Sequence, residues 1–288
     1  GAGTGAFDVS LSITTGTINT TGFTGTLALA TFTLTNTGTI THDGGTITSG
    51  TGGIDGGAMT MSSGAPTAIV TVTGAGTWRL NSLTIQAGGT FTANSATITM
   101  DGNWNHSAGA FSGISSTVVF AANATLTTSG NYGFGTQNFG DITVNVGATV
   151  TLANIVYFNG ASPSLTVNGT LDLGGFLIGP YDYLSSPGVT GPVGTGTIQN
   201  GTYGQRWGLK DMLFSAPPTM NVTLDIVTVN LPYVGGVGSF TLNSALTVGG
   251  VLTLTGSGTP SACLCNFSTG GYAVSATNIS VDISDGDA

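Results

Sequence analysis

Charge is the first thing this chain lacks. Only 5% of its 288 residues are charged, where ordinary globular chains have about a quarter. All twelve acidic residues are Asp, with no Glu, and the basic residues are Arg79, Arg206 and Lys210 alone. With Glu, Lys and Arg nearly missing, the strongest surface helix formers are gone, while Thr, Val, Ile, Phe and Tyr are abundant. An all-β chain is expected. Three scattered cations cannot neutralise a run of phosphates, so nucleic acid is not an expected partner, and an anionic membrane surface is disfavoured on the same ground. No apolar run approaches about 18 residues, so no transmembrane helix is expected. Disorder does not fit either, because 40% of the residues are hydrophobic and disordered chains combine low hydrophobicity with high charge. The forty-nine glycines follow no Gly-X-Y period, which excludes collagen.

What the chain does have is a returning phrase. Ile142-Thr-Val-Asn-Val-Gly-Ala-Thr-Val-Thr-Leu152 is two alternating runs joined by a glycine turn, with Ile142, Val144 and Val146 on one face. The phrase recurs at Leu83–Thr92, Leu165–Leu173 and Leu246–Leu254. One such unit cannot bury its apolar face alone, whereas stacked units bury a continuous core. The reading is an irregular parallel β-helix, a β-solenoid with turns somewhere in the twenties of residues, punctuated by Asp43-Gly-Gly45, Asp101-Gly-Asn103, Gly88-Gly89 and Asn168-Gly169.

Four segments are expected. Residues 1–14 form a terminal strand with Phe7, Val9, Leu11 and Ile13 on one side, and residues 15–175 the solenoid. Residues 176–220 are a Pro- and aromatic-rich insertion or boundary, and residues 221–288 a C-terminal β-rich part closing on Ile279, Val281 and Ile283. Proline removes a ladder donor and belongs at edges and turns, and seven of the nine prolines lie from Pro163 to Pro232.

Within the solenoid, Ser95–Met100, Gly102-Asn-Trp-Asn105, Ser116–Phe120 and Asp141–Val144 resemble the degenerate Gly/Asn/Thr-rich repeats of bacterial and archaeal surface and adhesin-like proteins. The resemblance covers roughly residues 77–175. It implies secretion and a β-helical stalk, and it carries over no catalytic residue.

Candidate sites are sparse. Cys263 and Cys265 stand two apart. On one strand their Cα atoms would be about 7 Å apart, at the limit a disulfide tolerates. A local disulfide in a bulge or turn, two buried thiols, intersubunit bonds and metal binding all stay open. His42 and His106 are distant from both cysteines, a poor zinc set. Asp282, Asp285 and Asp287 match no calcium-loop spacing and read as a solvated tail. No cofactor is expected. Spread aspartates without paired-carboxylate spacing, and no nucleophile elbow, point away from an enzyme. Asn19, Asn105, Asn123, Asn168, Asn200, Asn221, Asn266 and Asn278 are candidate glycosylation acceptors. Tyr181, Tyr183, Tyr203 and Trp207 are candidate glycan-stacking aromatics, whereas Trp78 and Trp104 read as core or edge packing in the solenoid. Thr-x-Thr runs at Thr33, Thr37, Thr46, Thr71 and Thr97 invite ice binding, but they do not recur at the constant interval a lattice requires.

The expected function is structural. The chain would be a secreted subunit of a cell-surface filament, pilus-like fibre or surface layer, with copies of itself as partner. Gly1, with no initiator Met, reads as the start of a mature product freed of its signal peptide. Solenoid ends must be capped or joined, and charged edge residues that block joining are scarce here. The terminal strands Phe7–Ile13 and Ile279–Ile283 would join neighbours by strand addition; the alternative is that the N-terminal strand caps its own solenoid. A glycan-binding adhesin or phage-type fibre, with surface glycans as partner, is the second expectation. With so few titrating groups, stability should depend weakly on pH until aspartates protonate near pH 4.

Overall fold

In the computed structural model, residues 23–61, 68–129, 137–159, 163–180 and 190–200 are described without a break. Shorter described segments are 4–6, 11–13, 17–20, 202–203, 223–224, 227–231, 237–241, 246–248, 251–258, 264–271 and 273–285. Among the described residues the chain is all-β, and every pairing is parallel, stacked as a β-solenoid of about seven turns.

Three ladders run through it. The first stacks Thr26–Ala30, Gly45–Ser49, Ala68–Val72, Thr90–Thr92 and the start of Ala110–Phe120. The second runs through Thr33–Asn36, Gly53–Gly56, Thr77–Leu80, Thr97–Met100, Thr117–Phe120, Asp141–Val144 and Ser164–Val167. The third passes through Thr39–His42, Ala58–Met61, Ser82–Ile85, Trp104–Asn105, Ala124–Thr127, Thr149–Leu152 and Thr170–Asp172.

Alternation decides which side chains go in. Thr97–Met100 alternates outward and inward, burying Ile98 and Met100. In the second ladder Leu34, Ile54, Trp78, Ile98, Val118, Ile142 and Leu165 stack in one inward column, each at most 2% exposed. Like residues over like residues is how a one-dimensional stack makes a continuous core. Where columns meet, rings gather. Phe111 lies 5.9 Å from Phe91, 4.7 Å from Trp104 and 5.1 Å from Phe139, and Trp78 sits 5.2 Å from Phe91. Such pairs add about 0.5–1.5 kcal/mol each beyond the area they bury. Trp78 and Trp104 are core residues, both fully buried.

The recurring phrase turns out to be a corner rather than a whole turn. Ile142 and Val144 belong to the second ladder and Val150 and Leu152 to the third. Val146 does not share the face of Ile142 and Val144; it is 78% exposed. The strand ends at Val144, and the turn that follows, with Gly147 at φ +79°, swings Val146 out to solvent. Turn length varies as expected: Ile98 pairs with Val118 but Leu171 with Ile198. Corners absorb the difference. At one of them Gly56 adopts φ +143°, and a Cβ there would run into the Asn36 carbonyl of the previous turn. Buried Asn36 holds that earlier corner, its carboxamide oxygen accepting from Gly38 N–H at 3.0 Å.

Ladders continue at both ends. Thr4–Ala6, Leu11–Ile13 and Thr17–Asn19 stack as a first turn on Thr26–Ala30 and Thr33–His42. Within residues 176–220, Leu177–Pro180, Thr190–Val193, Thr197–Gln199 and Thr202–Tyr203 pair with the preceding turn. The third ladder goes on through Thr223–Leu224, Leu246–Val248 and Val274–Ser275, beside a sheet of Val227–Leu231, Val251–Gly258 and Asn278–Asp285.

Candidate functional site

The chemistry-bearing side chains are dispersed along the ladders. Arg79, on the outer side of the second ladder, donates from Nε to Asp101 Oδ2 at 2.6 Å and from Nη2 to Oδ1 at 3.1 Å. Asp55 is its register neighbour on the other side. With Arg79 58% exposed, this pair contributes little to stability.

Asp141 clasps the next turn. Its Oδ1 accepts from both the backbone N–H and the hydroxyl of Ser164, each at 2.8 Å. Asp172 accepts from Gly174 N–H, Gln199 and Asn200. Its partial burial raises the carboxyl pKa, but these three donors together outweigh burial and hold it below the ordinary range. Asn103 and Asn123 reach one turn ahead to accept the N–H of Thr125 and Thr149, both at 2.8 Å. These side chains tie successive turns together, and each donor or acceptor used this way is withdrawn from any ligand.

Both histidines are core residues. His42 is fully buried and bridges two turns: its Nε2 lies 2.9 Å from the Ile69 carbonyl and its Nδ1 2.9 Å from the Thr20 hydroxyl. Nε2–H therefore donates and Nδ1 accepts. Burial lowers its pKa, opposed by the Ile69 carbonyl and the charge of Asp43. His106 sits among Trp104, Phe111 and Phe139. The Trp104 indole N–H donates to His106 Nδ1 at 2.7 Å. That fixes the proton on Nε2, which is buried and has no hydrogen-bond partner. Desolvation drives the His106 pKa down to about 3. The signal for both was present in the alternation, since His42 follows inward Ile40 by two and His106 follows inward Trp104 by two.

The sequence-predicted residues fall as follows. Leu11 and Ile13 lie on a strand paired in register with Leu34 and Asn36 of the same chain; Phe7 and Val9 lie outside the described residues. Ile279, Val281 and Ile283 lie on the final strand, paired with Leu252, Leu254 and Gly256, and Ile279 is 53% exposed. Cys265 pairs with Gly238 on Leu264–Ser268, and Cys263 is outside the described residues, as are Tyr181, Tyr183 and Trp207. Tyr203 pairs in register with Ile178 of the preceding turn. Of the sequons, Asn19, Asn123, Asn200 and Asn278 are exposed and Asn105 and Asn168 half-buried. Asn266 lies on Leu264–Ser268, and Asn221 is outside the described residues. Asn200 Nδ2, the atom a glycan would occupy, donates to Asp172 at 3.0 Å.

Among the described residues no group of three or more His, Cys or Asp side chains is placed to hold a metal ion, and no helix is long and apolar enough to cross a membrane. Among the described residues, the surfaces left for interaction are the outward faces of the ladders and the two ends of the stack. Comparison of the chain with protein-family models, curated proteins and solved structures finds no match.

Proposed function

We propose that the chain is a structural subunit of an extracellular filament, pilus-like fibre or surface layer, in which copies join through the ends of their solenoids. The observation that carries this reading is the terminal turn. Among the described residues, Thr4–Ala6 and Leu11–Ile13 are paired on one side only and contain no charged residue. At the other end Val274–Ser275 and Asn278–Asp285 are likewise paired on one side among the described residues. Free strand edges without lysines or prolines are templates for another chain. The in-register pairing of Leu11–Ile13 on Thr33–His42 is made within one chain. The same hydrogen bonds can be made to a neighbouring copy's second turn, as in domain swapping. An extracellular setting is supported by the scarcity of basic residues and by the exposed sequons at Asn19, Asn123 and Asn278.

The test is electron microscopy of the full chain beside a chain lacking residues 1–14 and beside Ser12→Lys and Ser280→Lys, which place an edge-blocking cation at either end. Regular filaments from the full chain, lost in the truncation and shortened or lost in the lysine variants, are expected. A full chain that stays monomeric at all concentrations overturns the reading. Glycan capture by that monomer, weakened by Tyr203→Ala or Trp207→Ala, would put an adhesin in its place.

A further inference from the structure

On the first ladder two Thr-x-Thr pairs, Thr46/Thr48 and Thr90/Thr92, fall into rank with the single threonines Thr26 and Thr71 of neighbouring turns. Thr46 and Thr48 lie over Thr26 and Ala28 of one neighbouring turn and under Ile69 and Thr71 of the next. Thr90 and Thr92 extend the same two columns, followed by Ala110 and Ser112. All of these side chains are half-buried by their neighbours. Beneath them the inward residues Ile47, Val70, Phe91 and Phe111 form a fully packed floor. Corners take up the unequal residue counts between turns, so register is kept where spacing is not.

The result is a two-dimensional array. Its repeats are about 4.8 Å from turn to turn and about 6.7 Å between alternate residues along a strand. Each threonine presents a hydroxyl that both donates and accepts, next to a methyl group, and its β-branch restricts χ1, so little rotamer freedom remains to be lost on binding. No charge interrupts the array. The other two ladders differ: the second carries Asp55, Arg79 and Asp141 outward, and the third breaks its hydroxyls with the amides of Asn103 and Asn105 and then with Asp172.

The chemistry of the array selects its occupant. A small ligand needs a concavity, which a ladder face does not supply. A charged polymer needs opposite charge, and a polysaccharide sheet is normally gripped by aromatic rings, none of which point outward here. A lattice of ordered water has a rectangular repeat of the same order, is uncharged, and is met by alternating hydroxyls and methyls. We propose that the outward face of the first ladder, over residues 26–112, binds ice. This inference stands apart from the filament reading and survives its failure.

The experiment measures thermal hysteresis and ice-crystal shaping by the full chain, by Thr71→Tyr at the centre of the array, and by Thr143→Tyr on the second ladder. Hysteresis in the wild type, lost for the most part in Thr71→Tyr with an unchanged unfolding midpoint and retained in Thr143→Tyr, is expected. Should Thr71→Tyr fail to fold, Thr48→Lys takes its place. Absence of hysteresis in the folded wild type overturns the proposal, as does equal loss in both tyrosine variants. A wild-type dimer that Thr71→Tyr dissolves, without ice activity, also overturns it and assigns the face to a second copy.

Discussion

His106 makes this solenoid sensitive to acid, and the size of the effect follows from its surroundings. Trp104 donates to its Nδ1, and its Nε2–H is buried without a partner, so the neutral ring is the form the core holds. The folded pKa of about 3 lies well below the ordinary 6.5. Above pH 6.5 neither state is protonated and the group is neutral to stability. As pH falls through 6.5 the unfolded chain takes up a proton that the folded chain refuses, so stability falls until about pH 3. At about 1.4 kcal/mol per pH interval, the loss reaches roughly 3 kcal/mol at pH 4 and approaches 5 below pH 3. His106→Phe isolates this quantity. At pH 7 the change is small, because the variant removes one buried unsatisfied N–H and leaves another on Trp104, costs of about 1–3 kcal/mol each that nearly cancel. At pH 4 the variant is expected to have gained about 3 kcal/mol on the wild type. Aspartate protonation acts on both chains alike and drops out of the difference. Denaturant unfolding of the two chains at pH 7 and pH 4 reads it directly. Parallel pH curves would refute the reasoning, since they would mean that the imidazole is solvated or acquires a partner when charged. The expectation of weak pH dependence until aspartates protonate near pH 4 leaves this contribution out: a buried base acts earlier, and His42, also lowered by burial, acts in the same direction.

Phe111→Ala removes the ring that touches Phe91, Trp104 and Phe139, and should cost about 3–5 kcal/mol in denaturant unfolding. Gly56→Ala forces a side chain into a backbone at φ +143° and against the Asn36 carbonyl; a loss of about 3 kcal/mol or more is expected, read as a lowered unfolding midpoint. Arg79→Ala, by contrast, should shift stability by less than about 1 kcal/mol despite its two-pronged contact with Asp101, measured in the same assay.

The fold class was legible because the solenoid is built from a local rule. Period-two alternation placed Ile142 and Val144 on one face, and both are buried. What alternation cannot give is where a strand stops. Val146 continues the apolar pattern by count, yet Gly147 turns the chain one residue later and leaves it exposed. A glycine turn of unknown conformation resets the phase of the pattern, so a phrase spanning one reads as a single face when it crosses a corner. The histidines were legible too, by the same period from Ile40 and Trp104, but their chemistry drew attention to ligand spacing rather than to the inward phase. A core imidazole and a metal-ligating one look alike in sequence; only burial and the Trp104 N–H separate them here.

The faces of the solenoid were the least legible part, for a reason that bears on how such proteins acquire surfaces. From Thr46 to Ile69 and from Ile69 to Thr90 the chain travels different numbers of residues, yet the three occupy one column. Each corner contributes a length of its own, so residues that are neighbours on the surface share no fixed sequence offset, and a search for constant intervals misses them. The inward columns suffer the same scrambling but reveal themselves through hydrophobicity; an outward threonine has no comparable marker, because threonine is a good strand residue anywhere. Corners can therefore lengthen or shorten without disturbing either the core or the array above it, provided that the ladder hydrogen bonds keep their register. Asp141 on Ser164 and Asn103 and Asn123 on the next turn's N–H groups hold that register from outside the core. In a chain with only three basic residues, such polar clasps take the place that ion pairs occupy elsewhere, and they leave the first face free of charge.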